Sequence, residues 1–146
     1  MTETLPTEFW QGVEQFNQQE FYACHDTLEA LWMEAIEPLK TFYQGVLQIA
    51  VALYHLSNHN WRGAVILLGE GINRLRHYQP AYADVDVAQF LTQSAELLTI
   101  LQQMGPERVV EVAQTVMQAE GSSTSDPASI PMKSIKISRY SPSIKD

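Results

Sequence analysis

Apolar residues recur every three or four positions along most of the chain, and this spacing predicts α-helix nearly throughout up to about residue 119. The predicted helices cover residues 7–16, 20–35, 38–57, 61–76 and 84–103, and a shorter helical segment follows around residues 109–116. Gly105-Pro106 marks a clear break between the last two of these elements. No strand is expected before residue 120.

A weak internal repeat supports a bundle built from helical hairpins. Residues 16–29 and 57–70 align at a shift of 41, and each copy straddles a helix, a turn and a second helix. Short loops between such helices favour antiparallel pairs. We therefore predict an all-α, compact bundle of five to six helices as one domain over residues 1–120. Residues 121–146 are rich in Ser, Pro and Lys, lack periodicity, and predict a disordered tail.

Composition fits a single folded domain. The chain has 146 residues, of which 45% are hydrophobic, and this is enough for one sizeable core. The apolar stretches are interrupted by Gln, His or Gly, so no membrane span is expected. The acidic first ten residues lack the features of a secretory signal. Cys24 is the single cysteine, which excludes an intrachain disulfide and agrees with a cytoplasmic location.

Charge is distributed unevenly along the chain. The formal net charge is −8, and residues 1–120 carry fifteen acidic against five basic residues. Residues 121–146 carry four basic against two acidic residues. A domain this acidic repels phosphate backbones, so we expect no nucleic-acid partner.

Polar residues interrupt the apolar pattern of the second and third predicted helices. His25 and Glu29 lie four residues apart in the second helix. One side of the third helix carries Gln44, Gln48 and His55 but no charge. Buried polar groups need partners, because an unpaired one costs about 1–3 kcal/mol. These groups are therefore expected either to satisfy each other or to hold a ligand.

Antiparallel folding about Glu37 predicts how these side chains meet. It sets Glu29 opposite Gln44 and His25 opposite Gln48. The expected result is a polar ladder between the two helices, formed by Glu20, His25, Glu29, Gln44, Gln48 and His55.

The ladder has two chemical interpretations. Imidazole and carboxylate groups at i, i+4 spacing can ligate one divalent metal ion, and an open coordination position would activate water for hydrolysis. The predicted metal ligands are Glu20, His25, Glu29 and His55. The neutral amides of Gln44 and Gln48 are poor ligands and would orient the others. Alternatively, the same residues form a closed hydrogen-bond network that specifies helix register without chemistry.

The runs FNQQEFYACHDTLEALW and KTFYQGVLQIAVALYHLSNHNWRGAVILL resemble the family known as domain of unknown function 309. The resemblance covers about residues 9–78. Its motif is carried here by Phe16, Asn17, Glu20, His25, Leu28, Glu29, Trp32, Gln44, Gly45, Gln48 and His55. Asp26 stands where the family usually has Glu; it keeps the charge but shortens the reach. The resemblance implies a small all-helical protein labelled a predicted metal-dependent hydrolase, and it adds Asn17, Asp26 and Trp32 to the polar network.

Two functions follow as expectations. The first is a cytosolic metal-dependent hydrolase-like protein that uses a divalent metal ion on an unknown small-molecule substrate. The second is a non-catalytic helical module that binds a partner or self-associates as a homo-oligomer, with no cofactor. A buried polar cluster that opens to a pocket would favour the first function. A sealed cluster beside an exposed aromatic groove would favour the second.

Overall fold

The computed structural model describes residues 4–118 and 134–140. Within them the chain forms six α-helices and one small β-hairpin, so the predicted all-α bundle is confirmed. The elements are α1 (Thr7–Asn17), α2 (Phe21–Glu34), α3 (Leu39–Ser57), α4 (Trp61–Leu75), β1 (Ala81–Tyr82), β2 (Val85–Asp86), α5 (Val87–Met104) and α6 (Val109–Met117). In the described part of the chain, no helix combines the length and apolar character needed to cross a membrane.

Helices α1–α2 and α3–α4 form two hairpins with the same kind of turn. Each turn has three residues, and its middle residue has a positive φ, 66° at Gln19 and 62° at His59. The matching buried positions, such as Leu28 and Leu68, are therefore 40 residues apart. The shift of 41 read from the sequence was wrong by one residue. It aligned Asn17 with Asn58, but Asn17 is the last residue of α1 and Asn58 is the first residue of the second turn.

Helix α3 lies at the centre of the bundle. Nine of its 19 residues are buried, and it packs against α2, α4 and α6. Aromatic rings fill the core around its first turns: Phe42 lies against Phe9, with ring centroids 5.9 Å apart. Phe16 meets Phe90 of α5 edge to face, and this contact joins the first hairpin to the later helices.

Helices α3 and α4 approach each other closely where glycines lie at their contact. A Cβ added to Gly71 would lie 2.9 Å from the Gly45 carbonyl oxygen and 2.6 Å from Ile49 Cγ1. A Cβ added to Gly45 would lie 2.6 Å from Leu75 Cγ. No larger residue fits either position without movement of its neighbours. This contact determines which side of α3 faces α4.

The β-hairpin was not expected from the sequence. Strands β1 and β2 pair antiparallel, with Ala81 opposite Asp86 and Tyr82 opposite Val85. Each strand has two residues, too few for alternation to show, and the turn residues Ala83 and Asp84 lack the usual Asn-Gly signature. Asp86 also accepts a hydrogen bond from the Gln89 amide (3.0 Å) and so caps α5.

The expected disordered tail requires correction for residues 134–140, here called the docked segment. Ile135 and Ile137 of this segment are buried. The Asp86 amide donates to the Ser138 carbonyl (2.9 Å), and the Tyr140 amide donates to the Asp84 carbonyl (2.7 Å). Two isoleucines between polar residues were too weak a signal for a packed strand. The rest of the predicted tail lies outside the described residues.

Candidate functional site

Two contacts at opposite ends of α2 set its register against α3. The rings of Tyr22 and Tyr54 lie 5.5 Å apart. At the other end the Lys40 ammonium donates to the Trp32 carbonyl (2.9 Å) and lies 4.6 Å from the centroid of the Trp32 ring. The helices are therefore antiparallel, and Glu29 lies at about the level of Gln44.

His25 lies on the outer edge of this helix pair, between two carboxylates. Its Nδ1 is 3.1 Å from Asp26 Oδ1, and its Nε2 is 3.8 Å from Glu29 Oε2. The imidazole also stacks on Tyr22, with ring centroids 5.8 Å apart. Its side chain is 29% exposed, which agrees with the expectation that His25 is mostly buried. The imidazole is held by groups of its own helix, with part of its edge at the surface.

Gln48 turns toward α4 rather than α2. Its Nε2 donates to Glu70 Oε1 at 3.0 Å. Its own Oε1 is buried and has no partner among residues 4–118 and 134–140. Because the glycine contact brings α4 against this side of α3, the expected pairing of Gln48 with His25 is replaced by a pairing with Glu70.

His55 and Glu20 lie at still other places. Asn60 Nδ2 donates to His55 Nδ1 (3.3 Å), and the imidazole packs where a Cβ on Gly63 would stand. This places His55 at the turn between α3 and α4. Glu20 is exposed beside the start of α2, where it lines a shallow cavity of about 330 Å³ together with Tyr22 and others.

The four predicted metal ligands are thus only partly brought together. His25 and Glu29 are neighbours, whereas His55 belongs to the α3–α4 turn. In the described part of the chain, no three His, Cys, Asp or Glu side chains lie close enough to hold one ion. The arrangement offers an ion two protein ligands, so the four residues do not fit a single metal centre. The metal hypothesis stays a prediction.

The remaining residues of the predicted network have separate roles. Asn17 binds the docked segment: its Nδ2 donates to the Ile137 carbonyl (2.9 Å), and its Oδ1 accepts from the Ile137 amide (2.8 Å). Asp26 pairs with His25, and Gln44 is half-buried. Trp32 Nε1 is buried without a partner among the described residues. Sequence reasoning missed the role of Asn17, because the segment that it binds is 120 residues away.

Cys24 is not a candidate nucleophile. The side chain is buried in the core, and burial raises the pKa of its thiol to about 12. A thiol with this pKa is protonated at neutral pH, and the thiolate is the reactive form. Cys24 is therefore a residue of the core.

An exposed stripe runs along the whole of α2, on the side opposite Cys24 and Leu28. We call it the α2 face; it consists of Tyr22, Asp26, Glu29 and Met33, and it continues beyond the helix to Ile36. Its apolar members are strongly exposed: Tyr22 by 60%, Met33 by 66% and Ile36 by 80%. The helical spacing of positions 22, 26, 29 and 33 can be read from the sequence. Their mixture of apolar and acidic residues did not mark them as one surface.

The fold and this face define a small helical-hairpin protein with an exposed, acidic and partly apolar helix surface. Residues 9–67 match the family described as Domain of unknown function (DUF309), which confirms the resemblance over that region. The chain is 34% identical over 68 residues to "Uncharacterized protein YpuF" of Bacillus subtilis (strain 168). That alignment spans 46% of this chain but 39% of the relative's length. No solved structure matches the chain.

Proposed function

We propose that this protein is a non-catalytic helical module that binds a basic amphipathic helix of a protein partner through the α2 face. One observation carries the proposal: Tyr22 and Met33 on α2, and Ile36 just beyond its end, are large apolar side chains that are left exposed. Exposed apolar side chains that form a continuous stripe mark interaction sites more often than scattered ones do. Tyr54 of α3, which contacts Tyr22, widens the stripe at one end.

Charge indicates what kind of partner fits. Carboxylates surround the apolar side chains along α2 and at its two ends: Glu20, Asp26, Glu29, Glu34 and Glu37. Residues 1–39 contain no Lys or Arg, and the ammonium of Lys40 is already bound to Trp32. A surface that combines apolar and negative groups complements a helix with one apolar and one basic side.

A second copy of this chain is the less favourable occupant. Two α2 faces packed together would place Asp26 and Glu29 of one copy near those of the other. Like charges brought together at an interface are repelled, and α2 carries no Lys or Arg to offset them. The length also suits a helix of a partner protein, because the twelve residues from Tyr22 to Met33 span about 16 Å, three helical turns.

The test uses the full chain and a labelled synthetic helix of about five turns, with Leu along one stripe and Lys elsewhere. We expect saturable binding in fluorescence anisotropy, weakened by added salt because surface charges are screened. Met33→Ser should raise the dissociation constant about tenfold, which corresponds to about 1.4 kcal/mol. A peptide with Glu in place of Lys should not bind.

The matched control is Ile66→Ser, because Ile66 is an exposed apolar residue on α4, away from the α2 face. It should leave the affinity unchanged. A wild-type affinity in both variants would mean that the peptide follows only the overall negative charge and would overturn the proposal, as would equal weakening by both. Sedimentation of the chain alone measures its oligomeric state. A dimer that Met33→Ser converts to a monomer would assign the α2 face to a second copy of the chain instead.

Metal-dependent hydrolase chemistry is a second candidate, favoured by the position of His25 between Asp26 and Glu29. Imidazole and carboxylate are suitable ligands for zinc, manganese or iron. An ion bound to the folded state would raise the melting temperature by mass action. Melts with chelator and with each ion, on wild type and His25→Ala, test this candidate. A shift in the wild type that His25→Ala abolishes supports it, and no shift removes it.

A further inference from the structure

A second, larger cavity lies where the start of α3 meets the end of α4, at the opposite end of α3 from Tyr54. Its volume is about 580 Å³, within the range of small-molecule sites. Its walls include the carboxylate of Glu37 and a group of potential donors, namely Asn73, Arg74 and His77. Neither the α2 face nor the His25 pair uses these residues.

Arg74 is the group in this cavity that most needs a partner. Its Nε is buried, yet it has no hydrogen-bond partner among residues 4–118 and 134–140. The side chain also makes no ion pair there. Glu70, one turn earlier on α4 and the natural i, i+4 partner, accepts from Gln48 instead. A half-buried guanidinium without a counter-charge is costly, so its persistence needs an explanation.

Glu37 makes no ion pair with Arg74 among the described residues, and Thr41 binds its carboxylate. The Thr41 amide donates to Glu37 Oε1 (2.9 Å), and the Thr41 hydroxyl donates to Oε2 (2.7 Å). Both carboxylate oxygens are therefore engaged at the start of α3. The negative charge that remains on Glu37 favours a singly charged ligand in this cavity over a multiply charged one.

We propose that this cavity binds a small oxyanion, the carboxylate or phosphate headgroup of a metabolite, through the guanidinium of Arg74. A guanidinium presents parallel N–H donors that match two oxygens of one carboxylate or phosphate. The Asn73 amide and the His77 imidazole provide further donors on the same helix end. A bound oxyanion would accept hydrogen bonds from the guanidinium and neutralise its unpaired charge.

The experiment follows the Nε–H signal of Arg74 by NMR in the full chain, during separate titrations with sodium acetate and with inorganic phosphate. Chloride keeps the ionic strength constant, so that screening does not change. We expect the Arg74 signal to shift and saturate with at least one anion. The anion that binds tighter distinguishes a carboxylate from a phosphate headgroup.

Arg74→Lys keeps the positive charge but removes the parallel N–H donors of the guanidinium. It should raise the dissociation constant of the anion about tenfold. Arg76→Lys is the matched control, because Arg76 is exposed and does not line the cavity; it should leave the affinity unchanged. The absence of a saturable shift in the wild type, or equal weakening by both variants, would overturn the proposal. The wild-type titration decides the matter even if Arg74→Lys folds poorly.

Discussion

At the contact between α3 and α4, two glycines of one helix have opposite surroundings. A Cβ on Gly71 would collide with Ile49 and with the backbone oxygen of Gly45, and backbone cannot turn aside as a flexible side chain can. A Cβ on Gly69 would meet nothing within 4 Å. Glycine in a helix interior is otherwise unfavourable because of the entropy that it loses on folding. The close approach at Gly71 offsets that cost, whereas nothing in the structure explains glycine at position 69.

Gly71→Ala should destabilise the protein by about 1–3 kcal/mol, the usual cost of overpacking a tight contact. Gly69→Ala should stabilise it by about 0.5–1 kcal/mol, because alanine is the better helix former and has room. Urea unfolding of the two variants beside the wild type measures both changes. A Gly71→Ala variant at least as stable as the wild type would show that the α3–α4 spacing is not determined at Gly71.

At the scale of elements, the junction of α2 and α3 depends on one carboxylate. The hydroxyl and the backbone amide of Thr41 both donate to Glu37, and they lower the pKa of that carboxyl below its ordinary value of 4.5. A group whose pKa is lower in the folded state stabilises the fold above its unfolded pKa. That contribution disappears as the pH falls through the folded pKa.

Glu37→Gln should therefore melt below the wild type at pH 7, and the two melting curves should converge as the pH falls below 4.5. Charged acceptors make stronger hydrogen bonds than neutral ones, so the amide replaces the carboxylate only in part. Glu34→Gln removes the same charge from α2 and serves as the control. A gap between wild type and Glu37→Gln that persists in acid would refute the assignment to ionisation.

The helices were predictable from the sequence, but the helix that the polar side of α3 contacts was not. Periodicity identified the six α-helices of the described residues, and the short loop after α2 indicated its antiparallel pairing with α3. It could not decide whether Gln48 faces α2 or α4, because helix-wheel position does not say which neighbour lies there. Gly45 and Gly71 determine that choice through close packing. The expected ladder was therefore divided, with Gln48 on Glu70 and His25 on its own helix.

At the scale of the whole molecule, the docked segment joins elements that are far apart in sequence. Val85 of the hairpin pairs with Arg139 as an isolated bridge, and the Arg139 guanidinium lies 3.7 Å from the centroid of the Trp10 ring. The Lys136 amide donates to Gln93 Oε1 of α5 (2.9 Å). The segment thus ties α1, the hairpin and α5 together. Pairings over such distances leave no local pattern, so the sequence could not predict them.

Asn17, at the end of α1, is the residue through which this attachment can be tested. Its amide both donates to and accepts from the backbone of Ile137, and its own carbonyl accepts from Lys136 Nζ (2.6 Å). Asn17→Ala leaves the Ile137 amide and carbonyl without partners in a partly buried place. We expect a loss of about 1–3 kcal/mol in unfolding free energy.

Hydrogen exchange at the Ile137 amide gives the specific measurement. Asn17→Ala should remove its protection, whereas Asn17→Asp keeps an acceptor for that amide and should retain part of it. Gln18→Ala, at the exposed neighbouring position, controls for a change at the end of α1 and should leave the exchange rate as it is. If Ile137 stays protected in Asn17→Ala, then the buried side chains of Ile135 and Ile137 hold the segment without help from Asn17. The attachment would in that case be apolar, and its strength would follow Ile137→Ala instead, which removes buried apolar surface worth about 2–5 kcal/mol.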